Sequence, residues 1–289
     1  MQKNEEYTFF NDILGAPKLI LAPMVDQSEL AWRILARNYG CELTFTPMLH
    51  AKLFVEDECY RNSMLELSPS DSPLLVQFCA NDPEIFAKAC LLVKDKCEAV
   101  DINLGCPQGI AKKGHYGAFL QDEWDLIKEL IIAGINTGTR ITAKIRLFSD
   151  LSKSLEYAKF LQNCGISMLT VHGRTREQKG QITGLADWDT IKAIKNSLKI
   201  PVISNGNILS YSDMIKCLEY TGCDGVMTAE SNLYNPAIFH PTKSKNCSIF
   251  DITLEYLEIV RQCPKTHLSS IRGHLFKIFI KWLVISIWS

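Results

Sequence analysis

The chain has 289 residues, 47% of them hydrophobic and 22% charged, with a formal net charge of −1. That length suits one large domain, or a large domain with a small appendage, and a balanced charge is by itself no signature of a nucleic-acid partner. Eleven cysteines, an odd number without close pairs, exclude the framework of a small secreted domain and read as reduced thiols of an intracellular chain.

Met1 to Asp12 mixes Lys, Glu, Asn and aromatic residues, so no secretory leader is expected. Eight short apolar runs rich in β-formers then follow, at Leu19 to Met24, Leu43 to Thr46, Leu74 to Cys79, Ala99 to Leu104, Ile141 to Leu147, Met168 to His172, Val202 to Asn205 and Val226 to Ala229. Helices are predicted between them at Glu29 to Tyr39, Pro83 to Lys96, Trp124 to Ala133, Ser154 to Asn163, Trp188 to Ser197 and Asp213 to Tyr220. Ser28, Asp82, Asp187 and Ser212 are the expected N-caps, and Gly40, Gly165 and Gly222 the expected stops. Strand and helix alternating eight times predicts an α/β chain, a (β/α)8 TIM barrel. An open doubly wound sheet is the alternative, but no GxGxxG follows Met24.

After residue 240 the character changes. Residues 241–289 hold seven Lys and Arg against three acids, a net +4 on a body of net −5. This basic segment permits a polyanionic partner, although solvated surface charge is the plainer explanation. The apolar run from Leu275 to Trp288 is broken by Lys277 and Lys281 and is short of the roughly 20 residues of a spanning helix, so no membrane is expected.

Barrel enzymes place chemistry on loops at the C-terminal ends of their strands, and the unusual residues fall there. Asn205-Gly206-Asn207 and Ala229-Glu230 follow the last two strands, where barrels commonly hold a phosphate. Lys144 could stabilise negative charge on a reduced flavin, with Gln77 and His172 adding hydrogen bonds to a planar polar ligand. Cys106 lies in a Gly-Cys-Pro turn, unlike Cys41, Cys90, Cys97, Cys164 and Cys217, which read as small buried hydrophobes. A free thiol, with a pKa of about 8.5, is mostly protonated at neutral pH and suited to donating a proton. No CxxC or HxxxH spacing occurs, so no metal site is expected. Lys112, Lys113, His115, Arg174, Arg176 and Lys179 gather near the same mouth, either as solvated loop charge or for an anionic substrate larger than a metabolite.

Leu21-Ala22-Pro23-Met24-Val25, the Asn103 to Pro107 turn, Lys144-Ile145-Arg146, Val171 to Thr175 and Asn205-Gly206-Asn207 resemble the tRNA dihydrouridine synthases over residues 19 to 240. Gly114 to Asp122 and Arg176 to Gly180 are similar to the eukaryotic subfamily acting on D-loop positions 16 and 17. The resemblance implies FMN held by Pro23, Met24, Val25, Gln77, Lys144, His172, Asn205, Gly206, Asn207, Ala229 and Glu230, with NADPH or NADH as reductant. It implies hydride transfer to C6 of uridine, a proton from Cys106 to C5, and substrate contacts from Asn103, Arg146, Arg174 and Arg176. Asp251 to Lys277 resembles the start of the family's helical tRNA-binding domain. The domains expected are therefore a barrel over 1–240 and a truncated C-terminal helical domain over 241–289, with weakened tRNA affinity, in a monomer of the cytoplasm or nucleus. A tRNA-binding barrel of impaired activity and a small-molecule FMN oxidoreductase are the alternatives.

Overall fold

The structure, a computed structural model, describes residues 5–180 and 183–288. Ser289 and the side chains from 281 onward, Lys281 among them, lie outside the described residues. Among the described residues nine parallel strands run in the order β1-β9-β8-β7-β6-β5-β4-β2, with β3 also on β4: β1 Leu19–Leu21, β2 Thr44–Phe45, β3 Leu49–His50, β4 Leu74–Cys79, β5 Ala99–Leu104, β6 Ile141–Leu147, β7 Leu169–Thr175, β8 Val202–Asn205 and β9 Gly225–Thr228. A bridge between Ile20 and Leu43 joins the two ends, which closes the sheet into the expected eight-staved barrel.

The ninth strand arises because one stave is split. β2 pairs with the start of β4 and β3 with its end. Between them Pro47 has no N–H to give a ladder, and the Thr46 hydroxyl instead accepts from the Gln77 N–H at 3.1 Å. The apolar pattern identifies the first half of this stave and misses the second.

Burial explains the strand composition. β4, β5, β8 and β9 are buried at every position, as strands covered on both faces must be. Inside the barrel Ile20, Phe45, Leu75, Met168, Ile203 and Met227 form one cluster with Phe9 and Phe10. Those two phenylalanines come from helical turns spanning residues 5–13, a plug with no counterpart among the predicted elements.

The helix signals hold with local shifts. Asp82 accepts from the Ile85 N–H and Asp187 from the Thr190 N–H as N-caps, and Gly222 stops its helix in a left-handed conformation. Ser28 caps nothing, because its hydroxyl is used across the turn to Met24, and Ser210 rather than Ser212 caps the Tyr211–Thr221 helix.

Residues beyond 240 pack against the Leu30–Asn38 helix through the Ile249–Gln262 and Leu268–Trp288 helices. His274, fully buried, stacks on Trp32 with centroids 3.8 Å apart and pairs with Glu29 at 3.0 Å. The Tyr256 hydroxyl donates to the other Glu29 oxygen. Among the described residues no helix is long and apolar enough to cross a membrane.

Candidate active site

Parallel register sets the site. Arg146, His172, Asn205 and Met227 are successive cross-strand partners, and Lys144 lies beside Asn103 one step deeper. Above them opens a cavity of about 930 Å³ at the C-terminal mouth, within the range of cofactor pockets. Of the predicted residues, Pro23, Lys144, Arg146, His172, Arg174, Asn205, Gly206, Asn207, Ala229 and Glu230 line it.

The lining is cationic and poorly compensated. Burial and the neighbouring Arg146 push Lys144 down to about 8, and burial beside Arg174 lowers Arg146 to about 10. The Lys144 ammonium donates to Asn205 Oδ1 at 3.1 Å. His172 is held well below its ordinary value by burial and the surrounding cations. Arg174 lies 3.1 Å from His172 Nε2; because a guanidinium only donates, that nitrogen accepts and the ring is neutral. An anion entering here would relieve three like charges at once, so the lining fits a group that carries a phosphate and a ring able to hold negative charge.

Loop geometry supports close approach. Gly206 has φ +114°, and a Cβ there would lie 2.7 Å from Ala186 Cβ and 3.1 Å from the His172 ring. Trp188 Nε1 donates to the Gly206 carbonyl and fixes the loop. Arg146 works as a staple, donating to the carbonyls of Gly105, Thr175 and Gln178, while Arg174 bonds Gly184 O and Asn207 Oδ1. Glu230 accepts from the Tyr234 hydroxyl.

Cys106 is half-buried on the loop after β5, packed against Cys79, Ala111 and Tyr116. Gly117, at φ +68°, lets the next turn lie against it, since a Cβ there would be 2.8 Å from the Cys106 carbonyl oxygen. Met24, Val25, Gln77, Asn103 and Cys106 are outside the set of residues lining the cavity. Val25 is exposed, while Gln77 and Asn103 are buried in a polar chain with Asp101. Arg176 is outside that lining as well, paired with Asp122 and Glu177 and bonded to Ala118 O. Gln178, Ile208 and Leu209 line the cavity without having been singled out for a ligand, and so does Lys179, expected near the mouth as one of its basic residues, which binds Pro107 O. Only Gln178 and Lys179 carried a signal, in the Arg176 to Gly180 string. Among the described residues no group of three or more His, Cys, Asp or Glu could hold a metal.

Fold and site together define a (β/α)8 barrel protein with a cationic ligand cavity at its C-terminal mouth. Residues 20–282 match the family model described as dihydrouridine synthase (Dus), and the chain belongs to that family. It is 50% identical to a Mus musculus protein named tRNA-dihydrouridine(16/17) synthase-like, over 96% of this chain and 58% of that protein. It is 53% identical to the Saccharomyces cerevisiae tRNA-dihydrouridine(16/17) synthase, over 94% and 67%. The chain thus spans under two thirds of the mouse relative's length. Among solved structures it is similar in fold to morphinone reductase, with TM-score 0.53 and 10% identity over 79% of this chain and 85% of that one. A 2-naphthoyl-CoA reductase complex has TM-score 0.58 and 10% identity over 77% and 49%.

Proposed function

We propose that the chain reduces uridine to 5,6-dihydrouridine in the D-loop of tRNA, at position 16 or 17, with FMN and NADPH or NADH. The observation that carries this reading is the poorly compensated cationic cavity beside the Cys106 loop, in a chain half-identical to enzymes named for those positions.

When bound, FMN supplies the hydride that goes to C6 of the uracil ring. Lys144 provides a cation for the electron-rich edge of the cofactor, and neutral His172 hydrogen-bonds its ring, while Gln77, buried outside the cavity lining with its amide engaged by Asp101 and Asn103, acts on the site through that chain. Pro23, Met24 and Val25 enclose the ring. Backbone N–H groups of Asn205, Gly206, Asn207, Ala229 and Glu230 hold the phosphate. Cys106 gives its thiol proton to C5, which completes saturation of the 5,6 bond and leaves a thiolate for water to reprotonate. The uracil, extruded from the tRNA fold, meets the Gly105-Cys106 turn that the Asn103 side chain holds, and Arg146, Arg174 and Arg176 meet the tRNA backbone. Residues 241–289 supply part of the tRNA contact surface through their excess of Lys and Arg.

Purification tests it. The protein carries a flavin that NADPH bleaches and unmodified tRNA reoxidises, with dihydrouridine mapped to position 16 or 17. Cys106→Ala keeps the bleaching and loses reoxidation by tRNA. A protein that cannot be loaded with FMN, or Cys106→Ala turning over near the parent rate, refutes the reading; reoxidation by free pyrimidines alone would move it to a small-molecule oxidoreductase.

A further inference from the structure

Asp101 has no part in the proposed reaction, yet it anchors a buried polar chain in the barrel. Its side chain is fully buried in β5 and accepts from the Thr142 hydroxyl at 2.6 Å through Oδ1 and from Gln77 Nε2 at 2.8 Å through Oδ2. Gln77 Oε1 in turn accepts from Asn103 Nδ2 at 2.9 Å. Asn103 Oδ1 then accepts two backbone N–H groups, of Gly105 at 3.1 Å and of Cys106 at 2.9 Å.

The direction of this chain is dictated from both ends. A carboxylate only accepts, so the Gln77 amide must turn its NH2 toward Asp101 and its oxygen toward Asn103. Backbone N–H groups only donate, so Asn103 must turn its oxygen toward Gly105 and Cys106. The two requirements agree at the Gln77–Asn103 bond, and neither amide can flip without leaving a buried polar group unmade.

We infer that Asp101 is a positioning residue: as an acceptor it locks the Gln77 and Asn103 amides and, through them, holds the Gly105-Cys106 backbone that presents the Cys106 thiol. The role asked of Asp101 is acceptor geometry, not charge. This inference rests on the proposed role of Cys106 for its consequence in turnover, while the lock itself is a property of the chain alone.

The test follows backbone N–H exchange in the 103–107 segment of the purified full chain. Asp101→Val keeps a strand-compatible apolar side chain but removes the acceptor. It is expected to raise exchange at Gly105 and Cys106 about two- to tenfold, the effect of one lost hydrogen bond. Flavin content should hold, bleaching by NADPH should stay within about twofold, and tRNA reduction should fall at least tenfold in kcat with KM little changed. Asp101→Asn is the rescue, because its amide oxygen still accepts from Gln77 while its NH2 donates to the Thr142 hydroxyl. Its exchange and kcat should return to within about threefold of the parent.

Exchange at Gly105 and Cys106 unchanged in a folded Asp101→Val overturns the inference, and so does Asp101→Asn as severe as Asp101→Val. Should Asp101→Val not fold, Gln77→Met cuts the chain in the middle and must give the same local rise, and its absence refutes the lock. A parent protein inactive on tRNA would defeat the functional reading and leave the exchange result standing.

Discussion

Lys144→Met gives a test in which stability and binding move in opposite directions. Lys144 sits half-buried on the cavity wall, brought down to about 8 from an ordinary lysine value near 10.5. That displacement corresponds to about 3 kcal/mol of unfavourable charge burial and repulsion from Arg146. Losing the hydrogen bond to Asn205 costs about 1 kcal/mol, so the flavin-free variant should be about 2 kcal/mol more stable than the parent at pH 7. For a chain of this size that is about 3 °C in Tm. The pH dependence follows from proton binding. Between pH 8 and 10.5 the unfolded chain holds a proton on Lys144 that the folded chain has released, so the parent gains stability as pH rises through that window. The advantage of the variant is therefore full below pH 8 and largely gone by pH 10. Saturating FMN should reverse the order at pH 7 by stabilising the parent more. Urea unfolding at both pH values, with and without FMN, measures all three effects. A flavin-free variant less stable at pH 7, or a difference equal at pH 7 and 10, would refute the account of the cavity as a poorly compensated cationic site.

Three further outcomes are expected. Gly206→Ala should cost about 2–4 kcal/mol in urea unfolding and weaken FMN binding in titration, because alanine is strained at φ +114° and its Cβ meets Ala186 and His172. Asp71→Asn should cost about 3–5 kcal/mol in urea unfolding, since it leaves two guanidiniums without a counter-charge: Arg33 at 2.7 Å and Arg37 at 2.9 Å. His274→Leu removes the stack on Trp32 and the pair with Glu29, so limited proteolysis should cut the segment beyond 240 at least several-fold faster while the barrel survives.

Sequence reading reached far where a local rule applies. Alternating apolar runs located eight staves, and capping chemistry placed Asp82 and Asp187 correctly. It failed where the partner is distant or the signal is a single residue. The β3 half-stave is two residues long and recognisable only from its pairing with β4. Ser28 has the right chemistry for a cap, but Met24 claims its hydroxyl. The plug carrying Phe9 and Phe10 has no periodicity to betray it, since its apolar face is defined by the barrel floor it fills.

The same division holds at the site. The order of strand-end motifs, and the conclusion that Lys144, His172 and the Asn205 to Asn207 turn share one mouth, follow from the sequence because a parallel barrel puts every strand's C-terminal end on the same side. Which of these side chains are charged, and which are already engaged, was decided by tertiary structure. Lys144 and His172 shift because burial and neighbouring cations from other strands surround them. Gln77 and Asn103 bind each other and Asp101 because the β4–β5 register places Gln77 opposite Asp101. Electrostatics and hydrogen-bond pairing depend on distance in space, and separations of 26 residues between Asn103 and Gln77, or 61 between Lys144 and Asn205, become contacts only when the barrel closes.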